Sequence, residues 1–249
     1  MHRFHISPGS IIEGSVILDK KEGHHALSVL RVEAGEVVEL LDGRGGVYQG
    51  IVASTEKGRV KVSVREKSSR HPQNGPQITL AVSVIKPERM EYLIEKSCEL
   101  GVHAVLPLIT ERTVVRLSPE RWRGKIQRWQ KIAQESCKQC GQSRTPEIQN
   151  VEKFDKVIRT FLAYDLCLIP TLAVPVKPLY QTLSTYPKAR SIMILIGPEG
   201  DFSKNEAQMA LSAGAQAVTL GSLVMRSETA VVFSLSVVNF FYRECAKTD

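Results

Sequence analysis

Over residues 1–70 the apolar positions come in short runs bounded by turn formers. Arg59-Val-Lys-Val-Ser-Val-Arg65 alternates residue by residue, the period of a strand with one buried face. Glu36-Val-Val-Glu-Leu-Leu-Asp-Gly43 ends on Asp-Gly, Gly45-Gly46 follows, and Val47-Tyr-Gln-Gly-Ile-Val-Ala53 runs back, which predicts a hairpin. Between Glu22 and Val32 a short helix is expected, with Ala26, Val29 and Leu30 on one face. Several short strands around one small helix predict a compact barrel. Residues 71–76, His-Pro-Gln-Asn-Gly-Pro, hold breakers and nothing apolar, and are read as a linker.

From residue 77 to 249 the rhythm changes to buried strand followed by helix. Strands are expected at Ile78–Ile85, Ala104–Ile109, Leu166–Ile169, Ser191–Ile196 and Ala217–Leu220. Pro107 places the second of these at an edge or an irregularity, because proline cannot donate to a ladder. Glu88–Leu100 reads as a helix stopped at Gly101. Ser118-Pro119 opens a long helix, on which Trp122, Ile126, Trp129, Ala133, Cys137 and Cys140 form an apolar stripe. Phe154–Leu162 and Pro178–Leu183 are shorter helices. Ser203-Lys-Asn-Glu206 is a capping box, and a last helix follows Ser227. Strand alternating with helix predicts an α/β domain with a mostly parallel sheet covered on both faces.

Composition narrows the class. Hydrophobic residues at 43% and charged residues at 24% are ordinary for a globular protein. No stretch approaches the roughly 18 apolar residues of a spanning helix, and no signal peptide is evident after Met1. An odd number of cysteines (98, 137, 140, 167 and 245) favours reduced thiols in a cytoplasm over a disulfide framework. The net charge of +7 is uneven: residues 118–144 hold seven basic side chains against Glu120 and Glu135. That excess suits a polyanion, although a solvated helix face reads the same way.

The candidate chemistry sits on two loops. Leu195-Ile-Gly-Pro-Glu-Gly-Asp-Phe-Ser203 and Leu220-Gly-Ser-Leu-Val-Met-Arg-Ser-Glu-Thr-Ala230 each follow a buried strand and lead into a helix. Glycine lets the backbone approach a ligand, and the carboxyl ends of α/β strands are where small molecules bind. Neither GxGxxG nor a Walker A pattern occurs, so a common dinucleotide or P-loop site is not supported. Cys137-Lys-Gln-Cys140 has no second CxxC and no histidine at ligand spacing, so packing rather than metal is expected. Glu228 and Ser227 or Thr229 suit a helix start as cap and dipole partner. Arg226 does not, because the positive dipole end disfavours it, so Arg226 is read as a ligand or nucleic-acid residue.

On these residues the chain resembles the RsmE-type 16S ribosomal RNA (uridine-N3) methyltransferases of the SPOUT superfamily. The two loops carry the likeness, with Leu30-Arg31, Gly35, Asp42-Gly43, Lys86, Met90-Glu91, Lys96, Glu99-Leu-Gly101, Glu135-Ser136, Gln142-Ser-Arg144 and Pro146 in support. Asp201 stands where a second glycine is common and Ser222 where proline is common. The resemblance implies a PUA-like N-terminal barrel, a C-terminal α/β domain with a trefoil knot, and a homodimer. It implies S-adenosyl-L-methionine as cofactor, held by Thr171, Leu172, Leu195, Ile196, Gly197, Pro198, Glu199, Gly200, Leu220, Gly221, Leu223 and Met225. The product is expected to be N3-methyluridine in 16S rRNA of the small ribosomal subunit.

Arg226, Glu228 and Thr229 are then the expected catalytic residues. Arg226 stabilises charge developing on the uracil, Thr229 donates a hydrogen bond, and Glu228 orients Arg226 or accepts a proton. Arg31, Arg121, Arg123, Lys125, Arg128 and Arg144 are the candidate RNA contacts, with Arg144 reaching the site from the partner subunit. A non-enzymatic RNA-binding assembly factor, or a SPOUT enzyme acting on tRNA or ribose 2′-hydroxyls, are the alternatives.

Overall fold

The computed structural model describes residues 1–56, 58–67, 75–115 and 117–245. Most of the expected linker, residues 71–74, lies outside them. The chain divides into two compact units: residues 1–72 with 134–145, and residues 73–133 with 146–249.

The first unit contains β1 (His2–His5), β2 (Ser15–Ile17), α1 (Lys20–His24), β3 (Val37–Leu41), β4 (Val47–Ser54) and β5 (Lys61–Lys67). They form one sheet in the order β1-β3-β4-β5-β2, antiparallel except for β1 beside β3. The expected hairpin is β3–β4. Its turn is held by Asp42, whose carboxylate accepts from the amides of Arg44 and Gly46 at 2.8 and 2.7 Å. A side chain at position 46 would collide with that carboxylate, so the turn needs glycine there. Asp19 caps α1 by accepting from the Glu22 amide, and the helix continues as a wider turn over His25–Val29. Phe4, Ala26, Val38, Leu40, Val52 and Val62 are core residues of this unit. Strand β1 was not foreseen, because Phe4 is its only apolar residue and its pairing with β3 supplies the order. Residues 134–145 join this unit through Lys138, which pairs with buried Glu22 at 3.0 Å, and through a backbone bridge between Arg44 and Arg144.

The second unit begins with β6 (Gln77–Ser83), α2 (Pro87–Glu99), β7 (Ala104–Ile109), α3 (Pro119–Cys140, whose last turns belong to the first unit), β8 (Glu147–Ile148), β9 (Glu152–Lys153) and α4 (Phe154–Val157). It goes on with β10 (Leu166–Pro170), β11 (Lys177–Pro178), α5 (Leu179–Thr185), β12 (Ser191–Ile196), α6 (Lys204–Ser212), β13 (Gln216–Thr219) and α7 (Ser227–Phe240). The sheet order is β11-β13-β10-β12-β6-β7-β8, with β9 also on β7, and every pairing is parallel. Leu80, Val82, Leu168 and Ile194 are buried completely, as in a sheet covered on both faces. Pro107 falls in the gap between the short partners β8, on Ala104 and Val105, and β9, on Leu108 and Ile109. The missing N–H therefore costs no ladder bond on that side.

Helix α3 buries Trp129, Ala133 and Cys137 at four-residue spacing. The expected stripe is one turn too long. Cys140 is exposed, because the helix ends there and the chain turns at Gly141 with φ 82°. No helix among the described residues is long and apolar enough to cross a membrane.

Candidate active site

Three strands that neighbour one another in the sheet, β13, β10 and β12, end at one place. The segments leaving them line a single cavity of about 250 Å³, just below the ~300–1,000 Å³ common for small-molecule sites. Strand β10 contributes Pro170, Thr171 and Leu172; β12 contributes Ile196 and residues 197–201; β13 contributes Val218 to Gly221, Leu223, Val224 and Met225. Ser227 and Ala230 from α7 close it. Leu172, Leu223 and Val224 stand 68, 79 and 81% exposed around this cavity. Apolar side chains left in water around one concavity mark a surface shaped for a ligand.

The sequence sets these loops locally. Ser203 and Glu206 form the expected capping box, with Ser203 N–H donating to Glu206 at 2.9 Å and Glu206 N–H to the Ser203 hydroxyl at 3.2 Å. The second oxygen of buried Glu206 accepts from the Glu111 amide at 2.8 Å, tying the segment after β7 to this loop. Phe202 is wholly buried against Phe154, so the loop is anchored immediately after its glycines. A Cβ at Gly197 would lie 3.1 Å from the Phe202 amide nitrogen, tighter than an alanine tolerates without a shift. The guanidinium of Arg112 donates to the Gly200 carbonyl. In the other loop, Gly221 N–H donates to the Thr219 hydroxyl, which donates in turn to the Gly221 carbonyl. Gly221 has φ 126°, and nothing lies within 4 Å of where its Cβ would be.

Every residue expected to hold the cofactor lines this cavity except Leu195. Leu195 is 0% exposed and packs in the core, because alternation along β12 turns it away. Asp201, Val224, Ser227 and Ala230, on the two expected loops but not among the expected cofactor residues, also line the cavity, as do Pro170, Val218 and Thr219, which lie outside those loops. Val218 and Thr219 end a strand whose partner loops the sequence did identify, so the strand end itself was the available signal.

The expected catalytic residues sit at the start of α7, beside the cavity but not among its lining. Arg226 is the N-cap, exposed, with backbone angles of −66° and 154°. It lies between Met225 and Ser227, which both face the cavity. The expected cap by Ser227 or Thr229 is absent: Ser227 is buried and donates instead to the Gly197 carbonyl at 2.8 Å. That bond ties the two loops together. Ser227→Ala is expected to weaken ligand binding about tenfold, since a carbonyl left without its donor costs ~1–3 kcal/mol; calorimetry checks it. Thr229 is exposed. Glu228 faces Arg89 of α2 at 3.8 Å rather than orienting Arg226, and its other oxygen is buried without a hydrogen bond. Arg89 also reaches Glu199 at 3.5 Å, so one guanidinium spans both loops. No local motif announced Arg89, which lies on a separate helix.

The candidate RNA residues divide between the units. In the first, Arg31 is exposed with φ 54°, and Arg144 is exposed beside Arg44. In the second, Arg121 and Arg123 are exposed and Lys125 is half-buried. Arg128 clasps Glu91 through two bonds of 2.5 and 2.8 Å, which hold the Glu91 carboxyl below its usual range. Its charge is therefore already partnered. Cys137 is buried and Cys140 exposed, and no group of three or more metal-ligating side chains occurs among the described residues.

Residues 72–239 match the family described as the RNA methyltransferase domain, and residues 18–65 match the RNA methyltransferase PUA domain. Ribosomal RNA small subunit methyltransferase E of Synechocystis is 30% identical over 96% of this chain and 77% of that protein. The chain belongs to the ribosomal RNA small subunit methyltransferase E family. Its Bacillus subtilis relative is 26% identical over 88% of both chains. Among solved structures, methyltransferase E from Neisseria gonorrhoeae, bound to S-adenosyl methionine, superimposes with a TM-score of 0.87 at 28% identity, covering 97% of this chain and 98% of that one. In this methyltransferase fold the PUA match falls on the first unit, and the RNA methyltransferase match spans the parallel sheet and takes in residues 134–145 of the first unit.

Proposed function

We propose that the cavity at the ends of β10, β12 and β13 holds S-adenosyl-L-methionine, and that the chain methylates N3 of a uridine in 16S rRNA of the small ribosomal subunit. The observation that carries this reading is the position of Arg226. It is an exposed cation at a helix N-terminus, where the dipole opposes it, flanked on both sides by residues of the cavity. The cavity suits a nucleoside: Ile196, Val218, Leu223 and Val224 offer apolar walls, and the glycine loops offer backbone groups at close approach.

When bound, the cofactor supplies a methyl group activated by a sulfonium. The chain's own residues do the rest. The loops fix the acceptor's approach, and alignment of nucleophile and methyl lowers such barriers by as much as ~7–11 kcal/mol. Transfer of the N3 proton to solvent water leaves negative charge over O2, N3 and O4 of the uracil, and Arg226 stabilises it. Thr229, one turn into α7, donates a hydrogen bond to the same ring. Glu228, held by Arg89, keeps the start of α7 in place. The target base is turned out of its stack to reach this edge.

The first unit, with Arg31 and Arg144, and the exposed arginines of α3 supply phosphate contacts. Reversing Arg121 and Arg123 to glutamate is expected to weaken RNA binding across sequences and to flatten its salt dependence by about one charge per lost contact. Filter binding from low to high salt checks this. The exposed Phe233 and Phe240 on α7 are offered as part of a homodimer face, with a knotted chain and a cytoplasmic location as further parts of the reading.

Mass spectrometry of 16S rRNA from a deletion strain tests the function. One methyl group on uridine should be missing and should return with this protein. An unchanged RNA, or a missing methyl on ribose, would overturn the reading.

A further inference from the structure

The cavity contains a carboxylate that the resemblance did not assign. Asp201 stands at the turn of the β12 loop with φ 61°, a left-handed conformation that costs a non-glycine residue energy. Its carboxylate has three donors. The Thr171 hydroxyl donates to Oδ2 at 2.9 Å, the Leu172 amide donates to the same oxygen at 2.7 Å, and the Phe202 amide donates to Oδ1 at 2.7 Å. Thr171 is 5% exposed, and its oxygen accepts from the Ala173 amide at 3.1 Å. A chain of bonds therefore runs from Ala173 through Thr171 to Asp201.

We propose that Asp201 is a positioning residue that clasps the Thr171–Leu172 segment to the β12 loop and so sets the width of the cofactor cavity. The inference rests on the reading of this cavity as the S-adenosyl-L-methionine site. Thr171 and Leu172 leave β10, whereas Asp201 leaves β12, and the carboxylate joins them across the opening. The geometry explains why a strained aspartate stands where glycine would be at ease. Glycine relieves the backbone and supplies no acceptor. Aspartate supplies one acceptor oxygen for two donors that belong to a different loop. Leu172, 68% exposed at the cavity, is held by its own amide rather than by packing of its side chain.

The test separates backbone strain from the clasp. Asp201→Gly is expected to change the melting temperature little, because relief of the left-handed strain offsets part of what the lost hydrogen bonds contributed. It should nonetheless weaken S-adenosyl-L-methionine binding by about tenfold in calorimetry, since both bonds of the clasp, from Thr171 and Leu172, are lost along with that from Phe202. Thr171→Val should weaken binding by about fivefold, and the double variant should be little worse than Asp201→Gly, because both remove one clasp. Asp201→Asn retains an acceptor oxygen and should recover most of the affinity. In the cofactor-free protein, hydrogen exchange at the Leu172 amide should quicken in Asp201→Gly and not in Asp201→Asn. In turnover assays KM for the cofactor should rise while kcat at saturation holds. Wild-type affinity and exchange in Asp201→Gly, or additive losses in the double variant, overturn the clasp. Failure of the wild-type chain to bind the cofactor overturns the reading of the cavity instead, and the exchange data still judge the clasp.

Discussion

Arg226→Ala is expected to lower turnover at least about 100-fold, the scale of losing one key electrostatic group at a reacting centre. Cofactor affinity should stay within about twofold, because Arg226 is not part of the cavity lining. A helix N-terminus favours anions, and Arg226 is a cation at the N-cap of α7. No hydrogen bond or ion pair to its guanidinium occurs among the described residues, whereas its neighbours Ser227 and Glu228 are bound to Gly197 and Arg89. Those neighbours fix the backbone that presents Arg226 and leave its head group to meet the substrate. Arg226→Lys should recover only part of the rate, since an ammonium cannot span two oxygens as a guanidinium does. Single-turnover rates and calorimetry on the same protein check both halves. Loss of cofactor affinity with normal turnover of bound cofactor would make Arg226 a cofactor residue.

Gly221→Val acts on the other half of the site. Gly221 has φ 126°, where a β-branched residue is strained whatever space surrounds it. Open space around the position means that the loop relaxes by moving rather than by colliding. With ~2 kcal/mol of strain the binding-competent loop falls to roughly one part in 30, and apparent cofactor affinity falls about 30-fold with it. The hydrogen bonds between Gly221 and Thr219 break in the same movement. Thermal stability should change little, because no core residue is displaced. A calorimetric titration beside a melting curve checks the pair of expectations, and an unchanged affinity would show that this loop does not wall the cofactor.

The two glycine loops were legible because their signals are local. Buried strand and glycine lie in consecutive sequence in both, and in the first a four-residue capping box follows, with Ser203 and Glu206 forming the expected cap. The strand periods of the second unit were equally plain, since strands buried on both faces read as unbroken apolar runs. Strand β1 was not legible: His2-Arg-Phe-His5 carries one apolar residue, and its order comes from β3, far along the chain. Arg89 was missed for the same reason. Its partners Glu199 and Glu228 lie more than 100 residues away, and a charged residue on a helix surface has no distinguishing period. Leu195 shows the reverse error. It belongs to the right motif, but strand alternation turns its side chain into the core.

The sequence by itself determined the longer strands and the helices, where glycine admits close approach, and that an arginine stands at the start of α7; the short strands β1, β2, β8, β9 and β11 take their order from their partners. Only the tertiary structure decided that β13, β10 and β12 lie side by side, and hence that Thr171 meets Asp201 and that one cavity serves both loops. Residue spacing encodes geometry over one turn or one strand. The order of strands in a sheet is fixed by packing between segments distant in the chain, and no local pattern records it.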